Sequence, residues 1–243
     1  MNTPICDFVK GYSQGDFSRL HMPGHKGQGP LGCEGLDITE ISGADSLYQA
    51  SGIIAESEAN TRALFNSGAT FFATEGSSQC IRALLYLAVL AQGPGDRPPL
   101  VLAGRNAHQS LISAAALLDL ELAWLWPEAA DFTLCACPIS RAGLEQALAG
   151  LDRPPAAVFL TSPDYLGGLL DIKALAEVCH SRGIPLLVDN AHGAYLHFLE
   201  QPAHPLDLGA DASADSAHKT LPVLTGGAYL QIGNSAPPVF AQA

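Results

Sequence analysis

The chain has 243 residues, 48% of them hydrophobic, enough to bury a sizeable core as one large domain or as a domain plus an arm. Its balance is acidic, 24 Asp and Glu against 12 Lys and Arg for a formal charge of −12, which argues against nucleic acid or an anionic membrane surface as a partner. The first ten residues carry neither a basic nor an apolar signal region, and the longest apolar run, Ile81 to Ala91, is too short and amphipathic to span a membrane. The six cysteines then read as reduced thiols, and the expected location is the cytoplasm.

Residues 1–50 read as an arm of loops, rich in Gly and Pro. Within it, His21 and His25 stand four apart, as zinc ligands on a helix would, but Pro23-Gly24 between them breaks any helix. A shaped loop that carries His and Lys towards an anion or a neighbouring subunit fits better than a metal site. Asp37 to Leu47 continues as loop and turn. Ile53 to Asn66 has helical spacing, with Glu56 and Glu58 early, where the helix dipole favours acids.

From residue 69 short apolar strands alternate with helices. Thr70–Thr74 precedes a helix over 77–92, Leu100–Ala103 one over 107–118, and Leu122–Trp126 one over 143–149. Ala156–Thr161 precedes a helix over 175–181. Leu186–Asp189, Ala210–Ala214 and Ala228–Ile232 complete seven strands. The strands are apolar without alternation, as in a parallel sheet covered on both faces, and the β/α order predicts a doubly wound α/β domain over 51–243. Cys135 and Cys137 form a lone pair without a second pair at zinc spacing, and read as core or edge packing. The tail after Ile232 is polar and proline-bearing.

In such sheets ligands bind beyond the carboxyl ends of the strands, and the polar residues of this chain collect there. Gly76-Ser77-Ser78 opens a helix and reads either as a plain cap or as an anion cradle. His108 follows the second strand, Thr161 to Gly167 the fourth, and Asp189-Asn190-Ala191-His192-Gly193 the fifth. Ser216-Ala217-His218-Lys219 follows the sixth. Lys219 is by itself either a solvated strand-end lysine or, held against apolar neighbours, an amine nucleophile. The set as a whole fits one cofactor, pyridoxal 5′-phosphate. Lys219 suits its aldehyde, Asp189 its ring nitrogen, His108 a ring face, and Gly76, Ser77, Ser78, Ser216 and His218 its phosphate.

The chain resembles the pyridoxal-phosphate-dependent Orn/Lys/Arg decarboxylases of fold type I. The resemblance is carried by His21 to Gly27, Asp37 to Glu40, Gly104 to Ser110, Thr161 to Gly167, Val188 to Gly193 and Ser216 to Pro222, and covers nearly the whole sequence. It implies a large domain with a mostly parallel seven-stranded sheet and helices on both faces. It also implies decarboxylation of lysine, arginine or ornithine to an amine and CO2, with a homodimer or higher homo-oligomer as the assembly. Lys219 would be the Schiff-base lysine, Asp189 the partner of the ring nitrogen and His108 the stacking group. Ala191 and His192 would stand beside the ring, and Ser77, Ser78, Ser216 and His218 at the phosphate. Lys219 and His218 are the two candidates for the proton donor. Asn190 stands where the family usually has an acid, Asp164 where a small hydroxyl residue is usual, and Glu75 where Asn is common. Family members also carry a smaller C-terminal domain, absent from this sequence, so a truncated product, or a fragment that binds cofactor without catalysis, is expected as an alternative. Another fold type I activity, such as an aminotransferase, is a third.

Overall fold

A computed structural model describes residues 2–127 and 135–241. The chain forms two compact units, Met1–Leu64 and Phe65–Ala243.

The first unit opens with a helix, α1 (Pro4–Gln14), where the sequence reading has only loop. Its start is written locally. Pro4 occupies the first turn, where no backbone N–H is needed, and Asp7 accepts both the N–H and the hydroxyl of Thr3 at 3.0 and 2.9 Å. Phe8 and Tyr12, one turn apart, stack at 6.3 Å. His21 and His25 have separate partners, the Tyr12 hydroxyl at 2.8 Å and Asp37 at 3.2 Å. No group of three metal-ligating side chains occurs among the described residues.

Helix α2 (Ile53–Phe65) carries the first unit on to Leu64, rather than ending it near residue 50. The cause is a set of polar ties. The Asp45 carboxylate accepts the N–H groups of Ser46, Ser51, Gly52 and Ile54, which caps α2 from the loop before it. Those amides hold the Asp45 carboxyl well below the usual carboxylate range. Asn60 in turn donates to the Asn2 carbonyl at 3.2 Å.

The second unit is an α/β layer structure. Its strands are β1 (Ala69–Ala73), β2 (Leu100–Gly104), β3 (Glu121–Leu125), β4 (Ala157–Thr161), β5 (Leu186–Asp189), β6 (Ala212–Asp215) and β7 (Ala228–Ile232). They form one sheet in the order β1-β7-β6-β5-β4-β2-β3. β7 pairs antiparallel with both β1 and β6, and the other pairs are parallel. The expected mostly parallel seven-stranded sheet is present.

The unalternating strand sequences follow from a core on each face. Val101, Ala103, Phe159 and Leu187 pack on one side with α3 (Ser77–Gln92) and α4 (Gln109–Leu117). Leu102, Val158, Leu160, Leu186 and Val188 pack on the other with α5 (Arg141–Ala149) and α6 (Ile172–His180). Successive residues of one strand therefore enter different cores, each large side chain contributing roughly 1.5–3 kcal/mol of burial.

Helix starts follow their caps. α4 begins after His108, whose ring accepts the N–H of Ser110, and α6 begins earlier than expected because Asp171 accepts the N–H of Ala174. The tail differs from its polar reading in one respect: Phe240, in a final turn over Pro238–Ala241, is buried in the α3-side core. No helix among the described residues is long and apolar enough to cross a membrane.

Candidate functional site

The carboxyl ends of β1, β2, β4, β5 and β6 deliver polar side chains to one cavity of about 330 Å3, within the range of small-molecule sites, roughly 300–1,000 Å3. It is lined by Ser77, His108, Asp189, Ala191, His192 and Lys219, all anticipated, by Asn106, Thr161, Pro163 and Tyr165, not named as site residues, and by Cys135, expected only as packing.

Lys219 lies on α7 (Ala217–Thr220), a single helical turn directly after β6. Its side chain is exposed rather than held in an apolar pocket, and its Nζ reaches His192 Nε2 at 3.2 Å. Burial and the Lys219 charge both lower the His192 pKa, and the His192 ring meets Tyr165 edge-on at 5.7 Å. His218, the neighbour of Lys219, turns elsewhere: its Nδ1 donates to the Gly227 carbonyl at 3.1 Å, and it does not line the cavity.

Asp189 ends β5 and is 2% exposed. Desolvation is the main reason that its pKa is pushed up to about 6; the Ala191 N–H and the Lys219 charge pull the other way, and the nearby Asp215 pushes it further up. Buried carboxylates of this kind are suited to hold a protonated nitrogen, since a cationic partner removes the penalty of ionising in a dry place.

The opposite wall is the start of α3. Gly76 precedes it with φ of +71°, a backbone conformation that favours glycine, and its N–H is taken by the Gly226 carbonyl at 2.8 Å. Gly76, the cap residue, has no side chain with which to cap the helix. The first turn begins with Ser77 and Ser78, where oriented amides and the helix dipole favour an anion, while the Gln79 N–H is taken by the Gly76 carbonyl at 3.1 Å. Ser216 is buried and donates to Ser77 Oγ at 2.6 Å, while Ser78 shares a hydrogen bond with Ser110 at 2.7 Å. Ser110 also meets His108 Nδ1 at 2.8 Å, so the two serines of the helix start are tied to the two groups that flank it. The His108 ring, which lines the cavity, has its pKa lowered by burial and by Lys219.

The structure therefore brings together Ser77, His108, Asp189, Ala191, His192 and Lys219. Gly76, Ser78 and Ser216 stand one bond behind the wall, and His218 faces away. Asn106, Thr161, Pro163 and Tyr165 all fall in the motifs after β2 and β4; position just beyond a parallel strand was the signal available for them. Of the two cysteines read as packing, Cys137 is buried with its thiol at the Leu125 carbonyl, whereas Cys135 lines the cavity.

Two features of this wall fit pyridoxal phosphate. The start of α3 offers uncapped amides with hydroxyls beside them, as a phosphate monoester requires. Thr161 Oγ1 is buried at the cavity wall without a protein partner among the described residues, a polar group that calls for a ligand or water.

The family described as Orn/Lys/Arg decarboxylase, major domain, matches residues 3–238. The uncharacterized protein YaaO of Bacillus subtilis is 31% identical over 97% of this chain and 50% of its own length. An arginine decarboxylase of Halalkalibacterium halodurans is 31% identical over 95% of this chain and 48% of its own length. The chain thus spans about half the length of the curated relatives it matches. Among solved structures, the lysine decarboxylase LdcF of Francisella novicida superposes with a TM-score of 0.78 at 19% identity, over 99% of this chain and 37% of that one, which shows the shared fold. On the match over 3–238 and the sheet that carries its motifs, this chain belongs to the Orn/Lys/Arg decarboxylase family, as its major domain.

Proposed function

We infer that the cavity binds pyridoxal 5′-phosphate and that the site serves decarboxylation of a basic amino acid, lysine, arginine or ornithine. The observation that carries the reading is the meeting of the Lys219 amine, the buried Asp189 carboxylate and the uncapped start of α3 on three sides of one cavity. Once bound, the cofactor supplies an electron sink for the carbon that loses CO2.

The chain's own residues supply placement. Lys219 would hold the aldehyde end, and Asp189 the ring nitrogen. Ser77, with Ser78 and Ser216 behind it, would hold the phosphate at the helix start. His108 would cover one ring face and Ala191 the other. Thr161 and Asn106 add polar contacts on the same wall. Fixing the ring from three sides orients the bond to be broken, and the Asp189 carboxylate offsets the positive charge of the ring.

His192 stands 3.2 Å from the Lys219 amine, while His218 is bonded to the Gly227 carbonyl. Among the histidines, proton exchange with Lys219 is therefore assigned to His192 rather than to His218. The homo-oligomer implied by the resemblance belongs to the same proposal, as does a cytoplasmic location.

The test is an absorbance scan of the purified protein with added pyridoxal phosphate, followed by product analysis with lysine, arginine and ornithine. A visible band that Lys219→Ala abolishes, with an amine and CO2 from one of the three, supports the reading. A keto acid in place of the amine would point to an aminotransferase, and no cofactor binding would exclude the site.

A further inference from the structure

Behind Asp189 lies a second buried carboxylate that the proposed reaction does not use. Asp215, at the end of β6, is 0% exposed and receives four donors. Asn190 Nδ2 (2.7 Å) and Ser213 Oγ (3.2 Å) reach its Oδ1; His204 Nε2 (2.9 Å) and Gln231 Nε2 (3.4 Å) reach its Oδ2. His204 accepts the Leu206 N–H at Nδ1 (3.3 Å), which leaves its Nε2 proton for Asp215. No Lys or Arg takes part in this set.

Asn190 joins the two acids. It follows Asp189 in the chain and is itself fully buried, and its backbone N–H donates to the Ala214 carbonyl at 3.0 Å. Its Oδ1 is buried without a partner among the described residues, so the bond from Nδ2 to Asp215 is what fixes the orientation of the amide. A flipped amide would set oxygen against carboxylate. The resemblance places an acid at position 190; in this chain the acid stands across the strand gap at 215, and the amide stands at 190.

We propose that Asp215 is a positioning residue for Asp189: through the Asn190 amide, which it holds at 2.7 Å, it fixes the end of β5 on which Asp189 stands. Behind desolvation, the nearby Asp215 carboxylate adds to the upward shift of the Asp189 pKa. The other titratable groups that face Asp215 are His204 from the loop before β6, Tyr229 from β7 and Cys80 from α3. Burial raises both the Tyr229 phenol and the Cys80 thiol, and Asp215 adds to each, so neither brings a compensating charge near neutrality.

This inference deepens the cofactor reading and rests on it for its purpose, but its test needs no cofactor. The titration of the Asp189 carboxyl would be followed by carbon-13 resonances in the full chain without pyridoxal phosphate. Asp215→Asn is expected to lower the Asp189 midpoint by a fraction of a pH unit, as loss of a nearby like charge should. The exchange Asn190→Asp with Asp215→Asn keeps one carboxylate and one amide face to face, and is expected to return most of that shift. An Asp189 midpoint unmoved by Asp215→Asn overturns the proposal and leaves Asp215 a structural residue only. Should the single variant fail to fold, the double one decides. Recovery of the fold with the wild-type midpoint supports the pairing, and failure of either contradicts it. Pyridoxal phosphate binding, measured separately on the same proteins, tests the cofactor reading independently.

Discussion

Asp189 carries a cost that only a ligand removes. Its folded pKa of about 6 lies above the ordinary 3.8, so the folded chain holds a proton that the unfolded chain releases between those two values. Stability contributed by this group is complete below about pH 4 and is lost as pH rises through about 6. On the unliganded protein at pH 7.5, Asp189→Asn is therefore expected to stabilise, by an amount on the order of 2–3 kcal/mol, and to do so little at pH 4. Thermal unfolding at the two pH values checks this. A variant equally stabilised at both would show that ionisation of Asp189 is not the cause. With cofactor bound the direction reverses in function: the same variant should lose roughly 3–4 kcal/mol of transition-state stabilisation, read as a fall in kcat/KM. At this scale the sequence placed Lys219, Asp189 and His108 beyond their strand ends, and all three line the cavity. It was less informative where the side chain could turn two ways. His218 precedes the lysine in its motif and His192 lies in the motif after β5, and only the packing shows that His218 bonds to Gly227 while His192 meets Lys219.

The turn after β5 is the element on which the site hinges. Gly193 closes it, and a Cβ there would stand 2.1 Å from Asn190 Oδ1 and 2.6 Å from Pro163 Cδ. Asn190 is not free to move, since it is fully buried and held by Asp215. Gly193→Ala should accordingly destabilise by about 1–3 kcal/mol and weaken pyridoxal phosphate binding through the displaced Asn190. Denaturant unfolding with a cofactor titration checks it, and an unchanged midpoint would mean that the turn can relax. The elements themselves were legible to within a few residues because each strand is a short apolar run and each helix follows it at a regular interval. The misses were local. α1 was passed over because Gly and Pro dominate the first fifty residues, although Thr3-Pro4 and Asp7 write its start. Phe240 was lost among prolines, because one apolar residue in a polar tail gives no periodicity.

For the whole molecule, two separate cores, one on each face of the sheet, carry the apolar packing, and the buried acids Asp189, Asp211 and Asp215 are exceptions at the strand ends. The proposed homo-oligomer predicts that sedimentation velocity on the purified chain gives a dimer or larger species; a monomer at all concentrations would contradict it. The fold class was readable because alternation of strand and helix leaves few other arrangements, whereas the reversed direction of β7 depends on pairing that no local pattern encodes. The central claim is that this cavity holds pyridoxal phosphate through Lys219. Its most direct measurement is borohydride reduction of the cofactor-treated protein, followed by peptide mass spectrometry. The account predicts one modified lysine, Lys219, lost in Lys219→Ala; modification of Lys26 or Lys173 instead, or of no lysine at all, would contradict it.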